Sequence, residues 1–413
     1  MESERDDLRL MAGSPPFTQE NLVTLANWQR PPFNRWAFQH IRELIPTARI
    51  SRGDGPPWEL PRAERDLMGV RFATRSGELT VGDLLDQTYT DGFLVLHEGQ
   101  IVAERYFNGL RPDSPHLLMS VSKSVTGLLA GALAGQGALD VAAPVEAIVP
   151  ELAGTAFAGA TVQQLLDMRA GVRFEEDYDD PEAEIAVSDR VYLWRPDDGK
   201  ARPAGAIEYF TTLSGDGPHG GPFRYRSILT DVLAWVLEKA GQARFSDLVA
   251  RELWQPMGAE RDAEVTVDGH GSALADGGIS ATLRDAGRVG LLALRRGRAP
   301  DAQVIPAAWL DDTIAGAPDG PRAFRSGNEA TGYPPGAHYR NCWWVSHPRL
   351  PMFIAAGIHG QLIAVHVPSE TVVVKLSSWP DALNAPMRRA TEAAVLAIAK
   401  TLRAQGQAGR PRR

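Results

Sequence analysis

From Ser122 to Leu139 the chain reads SKSVTGLLAGALAGQGAL, and Lys123 is its only charge. So apolar a stretch, rich in small residues, reads as a helix buried in the interior of a large body. Its polar first turn holds Ser120 and Lys123. The 413-residue chain can supply such an interior, because 44% hydrophobic and 23% charged residues is an ordinary globular composition. That length suits one large two-lobed protein or two ordinary domains, and the composition excludes disordered and fibrous classes.

Around this helix the sequence is ordered by type. Residues 1–75 are rich in Pro, Arg and Trp (GSPPF, WQRPPFNRW, DGPPWELPR). They are expected to form an extended arm with one amphipathic helix near Trp36 to Leu44. FLVLHEGQIVAERYF, 93–107, carries two β-rich runs hinged on Glu98-Gly99-Gln100, the pattern of a hairpin at a sheet edge. Helical periodicity is expected at 161–168, 229–240, 245–254, 282–295 and 384–403. IAAGIHGQLIAVHVP and ETVVVKLSSW read as two C-terminal strands. Strand signals near both ends with helices between imply an α/β (α+β) chain. Its discontinuous α/β lobe spans 76–120 and 280–413, around an inserted, mostly helical lobe over 121–279. A cleft between the lobes is the default site.

Charge and cysteine content narrow the function. A formal net charge of -8 and a pI near 5.7 disfavour a nucleic-acid backbone as partner, and the tail Arg410 to Arg413 is too short to reverse this. A single cysteine, Cys342, allows no internal disulfide, and no Cys/His cluster has zinc-ligand spacing. The start MESERDDLRLMAG lacks the pattern of a signal peptide, and no run of about 18 apolar residues suggests a membrane span. The expectation is a cytoplasmic protein with no cofactor, no metal, no membrane and no nucleic-acid partner. It would act on a small molecule, with a homodimer as the assembly considered.

A serine hydroxyl needs a base beside it to attack a carbonyl, and the i, i+3 spacing of Ser120 and Lys123 on a helix supplies one. With five lysines and 19 serines in the chain, chance gives that spacing about 0.2 times. A helix start adds orphan N–H groups and a positive dipole end, which stabilise an alkoxide and an oxyanion. The alternative at this point is Ser120 as a helix cap and Lys123 as a solvated side chain. Lysine acts as a base only if burial brings it well below about 10.4, and a second group would then move the proton. Tyr225, just before a helix in PFRYRSILTDVLAW, is the candidate, although a tyrosine there is also ordinary packing. FEEDYDDPEAE, 174–184, either steers a cationic amine or is solvated surface. His97, His116, His219 and His270 show no partner pattern, and no G-x-S-x-G elbow exists, so a Ser-His-Asp hydrolase is not expected.

SVSK at 120–123, Y-x-S at 225–227, WQPMG from Trp254, ADGGISATLRD at 275–285 and GIHGQ at 357–361 together resemble the serine β-lactamase and penicillin-binding-protein superfamily. TVQQLLDMRAGV at 161–172 is similar to a further segment of it. Within the superfamily the chain resembles the nylon-oligomer (6-aminohexanoate-dimer) hydrolases, from WQRPPFNRWAF at 28–38 through LLMSVSKS, DVLAW and HGQ to VKLSSWPD at 374–381. The resemblance implies a β-lactamase-like two-lobed fold, an antiparallel sheet flanked by helices. It implies Ser120 as acylated nucleophile, Lys123 as general base and Tyr225 as proton shuttle. The oxyanion hole would be the N–H groups of Ser120 and Ile358, with Tyr178 and Asp189 gripping substrate and Trp344 lining the pocket.

Three positions depart from the superfamily pattern. Ser227 stands where asparagine is common. The basic residue of the usual Lys/His-Thr-Gly strand falls near Ala355, which argues against β-lactam or peptidoglycan substrates, with His359 as a partial substitute for the cation. Asp276 stands where nylon-oligomer hydrolases have asparagine, and a charge there alters substrate choice if it faces the cleft. The resulting expectation is hydrolysis of a linear amide with an amino group on the acyl side, or of a short-chain ester, through an acyl-enzyme. A non-catalytic binding protein on the same scaffold is the third reading.

Overall fold

The computed structural model describes residues 9–178, 180–327, 333–347 and 351–408. The acidic start, through residue 8, and the tail Arg410 to Arg413 lie outside them. The strands in chain order are β1 (Thr47–Ile50), β2 (Arg71–Thr74), β3 (Gly77–Thr80), β4 (Thr90–His97), β5 (Gln100–Tyr106), β6 (His116–Leu117), β7 (Ala263–Thr266), β8 (Ile279–Ala281), β9 (His338–Arg340), β10 (Trp343–His347), β11 (Met352–Gly357), β12 (Gln361–His366) and β13 (Thr371–Ser377).

Seven of them form one antiparallel sheet in the order β5-β4-β13-β12-β11-β10-β9. Glu98 and Gly99, both at positive φ (51° and 82°), make the tight turn that pairs His97 with Gln100 and sets β5 at the sheet edge. β4 and β13 are buried along their whole length, which is why they read as nearly unbroken apolar runs. Thr371 of β13 pairs with His97 of β4, so the two ends of the chain meet inside the sheet. The Leu283–Leu294 helix packs on β4, β12 and β13. The Val121–Gly135 helix packs on β10, β11 and β12. That helix is buried from Val121 to Leu133, Lys123 included, as its otherwise uncharged sequence requires. At Gly127 an added Cβ would sit 2.3 Å from the carbonyl oxygen of Asn341, so this contact admits only glycine.

Residues 121–257 contribute helices and loops, the longest being Val121–Gly135 and Ile228–Gly241. A second sheet, of order β1-β7-β8-β6, is absent from the sequence expectation. Its strands have two to four residues, too short for alternation to register. β1 lies in the segment expected to be an extended arm and pairs with β7 along Thr47–Ile50. The expected helix near Trp36 to Leu44 is a short turn, Asn34–Ala37, and a 3-10 turn, Ile41–Glu43. IAAGIHGQLIAVHVP is two strands, because His359 takes a left-handed conformation (φ 57°) and breaks the run between β11 and β12. β9 and β10 were likewise not anticipated. Among the described residues no helix is long and apolar enough to cross a membrane.

Candidate active site

Strand β6 ends at Leu117, and the Leu118 N–H reaches Ile279 O at 2.8 Å, which ties the chain to β8 just before the turn into the buried helix. Met119 turns at φ 48°, a left-handed conformation that a side-chain-bearing residue adopts at a cost. Ser120 follows as the helix N-cap, and its hydroxyl makes no capping bond. It is thereby left to Lys123, whose Nζ lies 2.9 Å from Ser120 Oγ. The same Nζ donates to Asp276 O at 2.9 Å and lies 3.5 Å from Asp276 Oδ2. These three acceptors and the Tyr225 hydroxyl share the three N–H groups of the ammonium.

The electrostatics correct one expectation. Burial does pull the Lys123 ammonium toward neutrality, but Asp276, Tyr225 and Glu176 together outweigh it and hold its pKa above the ordinary lysine value. The net direction is upward, so burial by itself does not leave Lys123 a neutral base. Tyr225 is brought to the same point from the turn before the Ile228–Gly241 helix. Its hydroxyl interacts with the side chains of both Ser120 and Lys123. Lys123 Nζ stands 5.0 Å from its ring centroid. Burial raises the phenol's pKa, Lys123 opposes this, Glu176 adds to it, and the net direction is upward.

Ser120 opens onto a cleft lined among others by Met119, Tyr178, Asp189, Asp276 and Ile358. Trp344 is placed behind Tyr225 rather than on the cleft wall, with the two rings stacked 5.5 Å apart at 22°. Asp189 lines the cleft but already carries a cation, Arg195 Nε at 2.8 Å from its Oδ2. Burial raises the Asp189 carboxyl to about 6 against the pull of Arg195.

Ile358 is held beside Ser120 by close packing of β11. A Cβ added at Gly357 would lie 2.8 Å from Leu118 O and 3.0 Å from Ser120 N, so only glycine lets the two backbones meet. His359 corrects another expectation. It is buried outside the cleft lining, its Nδ1 sits 2.7 Å from Trp379 O, and its ring meets Phe38 edge-on at 5.2 Å. Burial lowers its pKa to about 4, so it offers no cation to a substrate carboxylate near neutral pH. Ala355, at the other register, is buried and apolar.

Two acidic residues of the site were not singled out from the sequence. Glu176 accepts from the Ser227 N–H and, at 3.1 Å, from the Tyr178 hydroxyl. Asp231 is buried under the site, with its Oδ1 3.0 Å from the Asp276 N–H, and burial beside Asp276 raises its carboxyl well above the ordinary range. Among the described residues no group of three or more His, Cys, Asp or Glu is arranged to hold a metal ion. The chemistry on offer is nucleophilic: a serine at a helix start, a lysine and a tyrosine in contact with it, and backbone donors alongside.

The family description Beta-lactamase matches residues 80–397. The chain is 42% identical over 359 residues to a protein of Paenarthrobacter ureafaciens named 6-aminohexanoate-dimer hydrolase, covering 87% of this chain and 88% of that one. It is similar to a solved structure from Bacillus anthracis named for 6-aminohexanoate-dimer hydrolase, with a TM-score of 0.85, 27% identity, and 94% of this chain and 98% of the other covered. A family VIII carboxylesterase shares the fold alone, at a TM-score of 0.58 and 14% identity over 77% of this chain and 95% of that one.

Proposed function

The chain belongs to the beta-lactamase family and is a serine hydrolase, and from that premise we propose that it cleaves a linear amide or a short-chain ester through an acyl-enzyme on Ser120. The observation that carries the reading is the 2.9 Å contact between Lys123 Nζ and Ser120 Oγ, with Tyr225 interacting with both and Ser120 on the wall of the cleft.

In this reaction Ser120 Oγ attacks the substrate carbonyl carbon. The carbonyl oxygen becomes an oxyanion received by the N–H groups of Ser120 and Ile358, reinforced by the helix start. The serine proton passes to the Lys123–Tyr225 pair, and Tyr225 hands it to the departing amine or alkoxide as the C–N or C–O bond breaks. Water then attacks the acyl ester, gives its proton to the same pair, and releases Ser120 with its hydrogen restored. Because Lys123 rests as a cation, the pair must first shed one proton before it can take the one from serine. The base strength therefore belongs to the pair. Acylation is expected to rise with pH toward the alkaline side.

The name of the Paenarthrobacter relative supports a linear amide with an amino-bearing acyl part, which Asp189 and Tyr178 would grip. One observation favours the ester reading: Arg195 already neutralises Asp189, so an ammonium would have to displace a bound guanidinium. A carboxylate-bearing β-lactam finds no cation at Ala355 or His359, which supports leaving such substrates out. A reducing, cytoplasmic setting is part of the proposal, supported by the one buried, unpaired cysteine, Cys342.

The test is direct. The wild type is expected to react with a fluorophosphonate probe, and Ser120→Ala to abolish labelling and turnover together. Labelling that persists in Ser120→Ala would reject the mechanism. Mass spectrometry after incubation with p-nitrophenyl butyrate and with the 6-aminohexanoate linear dimer separates ester from amide preference.

A further inference from the structure

The acidic loop before the Glu184–Val191 helix turns one carboxylate inward. Glu175 and Asp177 are exposed, whereas Glu176 between them is half-buried. Its Oε1 accepts the N–H of Ser227, and its Oε2 accepts the Tyr178 hydroxyl at 3.1 Å. Both of those residues line the cleft. Ser227 is the N-cap of the Ile228–Gly241 helix and lies two residues after Tyr225. One side chain thus bridges a cleft wall and the turn that carries the group placed to move protons.

We propose that Glu176 is a positioning residue, which fixes Tyr225 through Ser227 and couples that turn to Tyr178, so that occupation of the cleft is felt at the proton-transfer group. The inference rests on the hydrolase reading above. The carboxylate is doubly bonded, as a structural brace requires. A solvated steering charge would have no need of two such partners, one of them the buried Ser227.

The charged and titratable groups facing Glu176 come from four segments. These are Lys123 from the buried helix, Tyr225 from the turn, Asp276 from the loop before β8, and Tyr178 from its own loop. The carboxylate also helps to hold the pKa values of Lys123 and Tyr225 up. Removing its charge therefore lowers both, and the alkaline rise in acylation moves to lower pH. Removing its bonds instead loosens Tyr225.

Two variants separate these effects. Glu176→Gln keeps an oxygen for the Ser227 N–H and loses the charge. Glu176→Ala loses both. Fluorophosphonate labelling rates, measured from pH 6 to 10 with circular dichroism as a folding check, are the readout. Glu176→Ala is expected to label on the order of ten- to a hundredfold more slowly at every pH, the range typical of a misplaced catalytic group. Glu176→Gln is expected to recover most of that rate with its alkaline midpoint at lower pH. With p-nitrophenyl butyrate the Ala loss should fall on kcat more than on KM.

A folded Glu176→Ala protein with wild-type rate and profile would overturn the inference. So would a Gln variant as slow as Ala, or one with an unshifted midpoint. If Glu176→Ala does not fold, the Gln midpoint alone decides. An unlabelled wild type would overturn the hydrolase reading and this inference with it.

Discussion

At the scale of single residues, the site is a balance around one buried cation. Lys123 faces Asp276 at 3.5 Å, Glu176 stands nearby, and Asp231 lies beneath Asp276. The Asp276 side chain is what distinguishes this cleft from one with a neutral amide there. Its carboxylate raises the pKa of Lys123, while its backbone oxygen bonds Nζ in any variant. Asp276→Asn is therefore expected to lower the pKa of Lys123 and move the alkaline rise in acylation to lower pH, read as the midpoint of labelling rate against pH. An unmoved midpoint would show that this carboxylate does not tune the base. Ser120 and Lys123 stood out as a spacing at a helix start, whereas Tyr225 was marked by the family resemblance rather than by its local pattern, and the three lie in contact. Glu176 was not, since nothing in FEEDYDDPEAE marks which of its acids turns inward. The charge state of Lys123 was not legible either, because it depends on carboxylates remote in sequence.

At the scale of elements, two backbones meet where the oxyanion is expected. Gly357 ends β11 against Leu118 to Ser120, and the fit leaves no room for a methyl group. Gly357→Ala is expected to destabilise the fold by roughly 1–3 kcal/mol, as overpacking does. Because it pushes Ile358 from Ser120, it should also lower kcat beyond what lost stability explains. Thermal midpoint and turnover measured together check this, and wild-type kcat in the variant would place the oxyanion donors elsewhere. Elements with strong local signals were readable: the Glu98-Gly99 hairpin, the Val121–Gly135 helix and β13. The strands β1, β6, β7 and β8 were not, since each is short and pairs with segments remote in sequence, and local periodicity does not encode such partners.

At the scale of the whole molecule, the central sheet holds a lysine in its interior. Lys375 of β13 is fully buried, donates to Thr88 O at 3.2 Å and bonds Ser377 Oγ. Burial lowers its pKa to about 7 against an opposing pull from Asp91. The unfolded chain binds that proton up to about 10.4, and the folded chain only up to about 7. Between these values the unfolded state holds more protons, so stability rises with pH, and it is lost as pH falls through the window. Lys375→Met removes the group, and the thermal midpoint of the wild type relative to this variant is expected to climb from pH 7 to pH 10. A constant difference would show that Lys375 stays charged.

The pairing of β4 with β13 also bears on how the protein is made. A ribosome releases Ser120 and its helix long before it releases Gly357, and β13 follows later still. For most of its synthesis the nascent chain carries a nucleophile without the strand end that would complete its anion pocket, and an unpaired edge on β4. Such a polypeptide would lack one of the donors on which the proposed acylation depends. The same delay exposes the edge of β4 to other chains, so yield should depend on how quickly the last strands reach it.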